Sequence, residues 1–296
     1  MALKKRLIRA SNRVLVEIGL RGNPKLALDL ANRLSKRVKL DPHLNKRQLR
    51  NNLRVYFPEQ DDAWVEATAR EIQDNSVRAK LFDKHFLPRL SVEELDRAVE
   101  MVDWHIPQAA FDAKRGFIIA SIHYGRYWAA PLWFSQHGYM AAAFQSSEGR
   151  LPEEATTLSA GSLNASDPRA TLRAVRSLKK GAVVFLILDA GKVQNPVVVD
   201  FLGHPTRVST ASVRLARAAD ALIIPALAHI DPADREHIQV KFEEPIDPRD
   251  IPADEPVEQT IARVLAPLEG HARRNPAQWY GILNAHRRAV RDLDDD

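Results

Sequence analysis

His123 is the residue whose setting most favours chemistry. It closes the run Gly116-Phe-Ile-Ile-Ala-Ser-Ile-His123 and is followed by Tyr124-Gly125-Arg126-Tyr127-Trp128. The short apolar run reads as a buried strand, and Gly125 as a turn into helix-compatible sequence reaching Gln136. Reactive groups of α/β sheets gather at the C-terminal ends of such strands. An imidazole there can take up or release a proton. By position alone, a histidine that merely caps the following helix is an equal reading.

Other chemistries lack their residues. The chain has no cysteine, which excludes disulfides, thiolate metal sites and a cysteine nucleophile. It contains no GxSxG elbow, no GxxxxGK[ST] phosphate loop, no GxGxxG and no HExxH, so no cofactor is expected. His229 and His237 are spaced too widely for one helical face and have no third ligand nearby, so no metal is expected either.

Charge is distributed unevenly. Residues 1–50 carry 14 Lys/Arg against 3 Asp/Glu, whereas the remainder carries 29 against 35. A basic front end needs an acidic partner: phospholipid headgroups, nucleic acid or an acidic carrier protein. No base-stacking aromatics interleave with those charges, which argues against nucleic acid. On the helix after Pro168, Arg169, Arg173, Arg176 and Lys180 fall within an arc of roughly 60° at about 100° per residue. Such a stripe is either a solvated face or a dock for a carrier protein or lipid phosphates.

The elements that must position these residues fall into two regions. Residues 1–105 read as helical throughout: an opening amphipathic basic helix, then helices near Pro24–Val38, Lys46–Tyr56, Asp61–Phe86 and Ser91–Val102. Ser91 and Glu94 fit a capping box. Residues 106–296 alternate strand and helix. Strands are expected at Phe117–Ile122, Tyr139–Phe144, Ala182–Leu188, Val197–Phe201, Leu222–Ala228 and Ile238–Phe242. The helices between them end at Gln136, Lys180, Ala219 and Arg274. The fold class is therefore α/β, a mixed, mostly parallel sheet flanked by helices, with an all-helical N-terminal extension. No apolar run approaches the ~20 residues of a span, and the start lacks a cleavable leader. The expectation is a cytoplasmic protein, peripheral on the cytoplasmic face of the inner membrane.

Five segments in order carry a family resemblance. They are Asn52-Leu53-Arg54-Val55-Tyr56-Phe57-Pro58-Glu59, His123-Tyr124-Gly125-Arg126-Tyr127, the pair Leu186–Asp189 and Val197–Pro205, Asp220–Pro225, and Pro276-Ala277-Gln278-Trp279. Together they resemble the bacterial lipid A late acyltransferases (lauroyl and myristoyl transferases), part of the lysophospholipid acyltransferase superfamily. The resemblance implies an acyl donor, acyl carrier protein or CoA, and a lipid or specialised-metabolite acceptor. It also implies that His123 is general base, oriented by an acidic residue five positions on.

Here the fifth residue is Trp128, and the asparagine expected after the histidine's glycine is Arg126. The arginine expected after the second strand is Gln145. Trp128 is either helix packing or a channel wall, and with Arg126 and Gln145 it forms the candidate substrate-binding set. Asp189 is the best replacement acid, because it too ends a strand and would emerge on the edge that carries His123. Its competing reading is a turn-former ahead of Gly191, and Glu148, Glu153 and Glu154 are loop alternatives. A catalytically silent relative that binds acyl chains is the second functional reading.

Overall fold

The computed structural model describes residues 14, 17, 45–81, 83, 86–145, 161–164, 167, 169–189, 196–231, 234 and 237–287. The expected helix at 24–38 and all of the opening basic helix except Val14 and Glu17 lie outside these residues. Glu148, Glu153 and Glu154 lie outside them as well.

Three of the strands are buried apolar runs at the centre of the fold. β2 (Phe117–Ser121), β5 (Val183–Ile187) and β8 (Leu222–Ile230) occupy the middle of a seven-stranded sheet. Beside them run β3 (Ala141–Gln145) and β4 (Gly161–Asn164). On the other side lie β9 (Ile238–Phe242) and β1 (Val99–Val102). The order is β1-β9-β8-β2-β5-β3-β4, and only the β8–β9 pair is antiparallel. Every residue of β2 is buried, as a strand covered on both faces requires. A separate hairpin pairs β6 (Pro196–Phe201) with β7 (His204–Ser209). Its two-residue turn places Leu202 at φ 57° and Gly203 at φ 79°, the double left-handed geometry that suits hairpin twist.

Helices cover both faces. One face packs on α1 (Lys46–Tyr56), α2 (Asp62–Leu81), α6 (Ala170–Leu178), α7 (Ala211–Ala219) and α8 (Val257–Arg274). The other packs on α3 (Val92–Ala98), α4 (His105–Asp112) and α5 (Ala129–Gln136). Alternation along β2 divides the core: Ile118 and Ala120 join the first layer, Phe117 and Ile119 the second.

Two expectations are corrected. The helix read over Ser91–Val102 starts on its capping box but stops at Ala98, and Val99–Val102 becomes β1. The N-terminal region is thus not all helical. The edge of β9 supplies a parallel partner, pairing Val99 with Ile238 and Val102 with Lys241, and this tertiary ladder overrides a local helical pattern. The helix expected to run to Lys180 is shorter, Ala170–Leu178, with Arg169 at its N-cap and Lys180 in the turn beyond. Strands β4 and β7 and helix α4 were not expected from the sequence pattern.

Candidate active site

The sheet register brings His123 and Asp189 together. β2 and β5 are parallel neighbours with Ser121 opposite Ile187, and the Leu188 amide continues the ladder to the Ser121 carbonyl at 2.8 Å. Two residues past the last pair on each strand come His123 and Asp189. Asp189 Oδ1 lies 2.7 Å from His123 Nδ1 and accepts the His123 backbone N–H at 2.8 Å. Asp189 Oδ2 accepts the Trp279 indole N–H at 3.0 Å. The Asp189 side chain is 5% exposed and that of His123 33%, so the carboxylate is enclosed and the imidazole is reachable. Ionised carboxylate oxygens only accept, so against an ionised Asp189 the neutral ring would carry its proton on Nδ1 and keep the Nε2 lone pair free. Asp189 is also in a turn.

The turn after His123 depends on glycine. Gly125 has φ +52°, and a Cβ there would sit 1.9 Å from the Ala228 carbonyl oxygen. That close approach allows the Arg126 amide to donate to the Ala228 oxygen at 2.9 Å, which pins the loop to β8. Trp128 then occupies the N-cap of α5 without a side-chain capping bond.

Beside the dyad lies an apolar cleft on one face of the sheet. Its floor comes from β2, β3, β5, β8 and β9 through Ile119, Ala143, Phe185, Ala226, Ala228 and Val240, and its wall from Tyr127, Trp128, Ala130 and Pro131. Alanines on two strands, β3 and β8, leave the space that larger residues would fill. Tyr127 joins the cleft to the dyad, its ring meeting the His123 ring edge-on at 5.2 Å. Burial pushes the Tyr127 hydroxyl pKa up, so the phenol stays neutral. The cleft thus offers an apolar chain a place, with Tyr127 standing between it and the His123 ring.

The remaining candidates divide. Trp128 lines the cleft while also packing against the core layer beneath α5. Arg126 does not face the cleft. It is 2% exposed, and its guanidinium donates to Asp83 Oδ1 at 3.2 Å. A buried guanidinium needs a counter-charge, and the chain supplies one from 43 residues upstream. Burial raises the Asp83 pKa to about 7, against the opposing pull of Arg126. Gln145 ends β3 opposite Asn164, and its side chain lies outside what is described. Arg169, Arg173, Arg176 and Lys180 are all exposed, and Arg173 pairs with Asp167 at 2.7 Å.

Sequence reasoning missed Trp279 and Asp83. Trp279 was read only as part of a motif, and nothing local marks its indole as a partner of Asp189. Asp83 was hidden inside a helical stretch.

The family described as bacterial lipid A biosynthesis acyltransferase has a model that matches residues 13–288. No curated protein matches. Among solved structures, similarity is found to the 1-acyl-sn-glycerophosphate (LPA) acyltransferase PlsC from Thermotoga maritima. The identity is 18% over 68% of this chain and 82% of that one, with a TM-score of 0.40.

Proposed function

This chain belongs to the bacterial lipid A biosynthesis acyltransferase family, and from that premise we propose that it moves a fatty or related acyl group from a carrier thioester to a lipid or specialised-metabolite acceptor. It is an acyltransferase, and the reading extends to acyl carrier protein or CoA as donor. The observation that carries the reading is a reachable imidazole, 2.7 Å from an enclosed carboxylate, beside an apolar cleft.

The chemistry follows from that arrangement. The acyl chain lies in the cleft, which brings the thioester carbonyl to His123. Nε2 takes the proton of an acceptor hydroxyl or amine as its oxygen or nitrogen forms a bond to the carbonyl carbon. Asp189 stabilises the resulting imidazolium and holds the ring. The tetrahedral intermediate collapses, the C–S bond breaks, and the imidazolium returns the proton to the departing thiolate. No metal or cofactor takes part in this sequence. Trp128 leaves no acid five positions after His123, and the Asp189–His123 contact supports the catalytic reading over the silent relative.

Purified protein given acyl-carrier and acyl-CoA thioesters of graded length, with a lipid extract as acceptor, is expected to form acylated product from one donor class. Ala226 is buried at the cleft floor, so Ala226→Leu should shift the preferred chain to a shorter one. The longest chain accepted by the wild type should lose about 10-fold or more, as one methylene of misfit does. Absence of any acylated product would favour the silent-relative reading. An unchanged length profile would show that the chain lies elsewhere.

The same reading places the protein peripherally on the cytoplasmic face of the membrane, held by the basic opening segment. No helix among the described residues is long and apolar enough to cross a membrane. Each Lys or Arg near an anionic surface contributes on the order of 1 kcal/mol, so the 14 basic residues of positions 1–50 suffice for reversible attachment. Co-sedimentation with anionic vesicles should weaken in high salt and be lost on deleting residues 1–20. Undiminished binding by the truncated protein would rule this out. The exposed arginines at 169, 173 and 176 are the proposed contact for an acidic carrier protein.

A further inference from the structure

We propose that Trp279 is a positioning residue of the acyl-transfer centre, its indole N–H fixing the Asp189 carboxylate in the orientation that keeps the His123 proton on Nδ1. The proposal rests on the general-base reading of His123 and adds a third member to the pair.

Both oxygens of Asp189 face protein donors: Oδ1 the backbone and ring of His123, Oδ2 the indole. Without the indole, Oδ2 loses an N–H donor and the carboxylate can turn away from Nδ1, which weakens the contact that keeps the ring proton there. An indole N–H suits this task because it only donates and does not titrate near neutral pH. The carboxylate is held without adding another proton equilibrium to the site.

The indole itself cannot turn. Trp279 is 0% exposed and meets the rings of Tyr56 and Phe201 edge-on at 5.5 and 5.3 Å. Its neighbours tie the segment to the catalytic loop. The Tyr280 amide donates to the His123 carbonyl at 2.7 Å, and the Gly125 amide to the Gln278 carbonyl at 2.9 Å. The buried Gln278 amide group exchanges two 2.8 Å bonds with the Ile230 backbone. Two buried asparagines from the N-terminal helices hold the segment from behind: Asn52 donates to the Ile282 carbonyl at 2.6 Å and Asn75 to that of Ala277 at 3.2 Å. Clearance around the contact is minimal. A Cβ on Gly281 would lie 2.0 Å from Asp189 Oδ2 and 2.2 Å from Trp279 Nε1. A tryptophan in a core is ordinarily explained by its apolar area. Here an apolar bicycle of the same shape could match its ring, and could not supply the donated hydrogen bond.

The test removes the N–H, once with a smaller ring and once with the ring shape kept. Trp279→Phe, and replacement of Trp279 by benzothienylalanine, which has the indole shape with sulfur in place of N–H, are compared with wild type. Both should lower kcat by about 10- to 100-fold, the range of one hydrogen bond to a charged group, with KM little changed. In parallel, ¹⁵N NMR of the His123 ring at alkaline pH reads the neutral tautomer. The Nδ1–H form should dominate in wild type and give way to a mixture in both replacements. A benzothienylalanine protein with wild-type kcat and an undisturbed Nδ1–H tautomer would overturn the proposal. The tautomer is read without turnover, so failure of the positioning role is separable from failure of His123 as base, which the His123→Ala assay reports.

Discussion

His123→Ala is expected to lower acyl transfer by about 10²–10⁴-fold, the usual contribution of a positioned general base, while the fold stays intact. The side chain is one-third exposed, and its contact with Asp189 is made from a loop rather than from the core. Removing it should therefore cost little stability, and thermal unfolding should stay close to wild type. The loss should fall on kcat, because the ring moves a proton in the transition state rather than binding the resting substrate. The measurement is steady-state turnover with the preferred thioester beside a melting curve. Wild-type turnover in the alanine variant would show that the reaction is centred elsewhere.

Asp189→Asn should cost as much or more, although it changes only one atom's chemistry. Both carboxylate oxygens accept from N–H groups: His123 N and Nδ1 at one, Trp279 Nε1 at the other. An amide has one accepting oxygen, so its NH₂ must face either the indole donor or the two His123 donors. Facing His123, it opposes the Nδ1 proton and drives the ring to the Nε2–H tautomer, which cannot act as base toward the acceptor. The corresponding change in a serine-protease triad costs about 10⁴-fold in kcat for the same reason. The buried mismatch should also destabilise the protein, by about 1–3 kcal/mol for an unsatisfied group. Kinetics and denaturant unfolding together separate the two effects. A variant that is less stable but fully active would reduce Asp189 to a turn residue.

Much of the scaffold was legible in the chain itself. The apolar runs 117–122 and 182–188 become neighbouring central strands, because a continuous apolar run can satisfy its backbone and bury both faces only inside a covered sheet. The helix read at Lys46–Tyr56 has those bounds, with Asn45 accepting the Gln48 amide as its cap. The capping box at Ser91 and Glu94 forms as spaced. Five ordered segments carried the family resemblance, and the family model spans the same region. The candidate pair His123 and Asp189 followed from one physical rule, that parallel strands deliver their C-terminal ends to one edge.

What the sequence could not settle lay in partners distant along the chain. Val99–Val102 has residues compatible with either state, and the open edge of β9 decides for strand. Arg126, adjacent to the reaction centre in sequence, points into the protein because Asp83 waits there to neutralise it. Trp279 reaches Asp189 across 90 positions, and Asn52 reaches the Ile282 carbonyl across 230. The chain by itself determined most of the central strands and the capped helices, because periodicity and caps act within a few residues. Only the tertiary structure decided which oxygen meets which N–H, because a buried polar group takes the partner that packing brings within about 3 Å, whatever the distance along the chain.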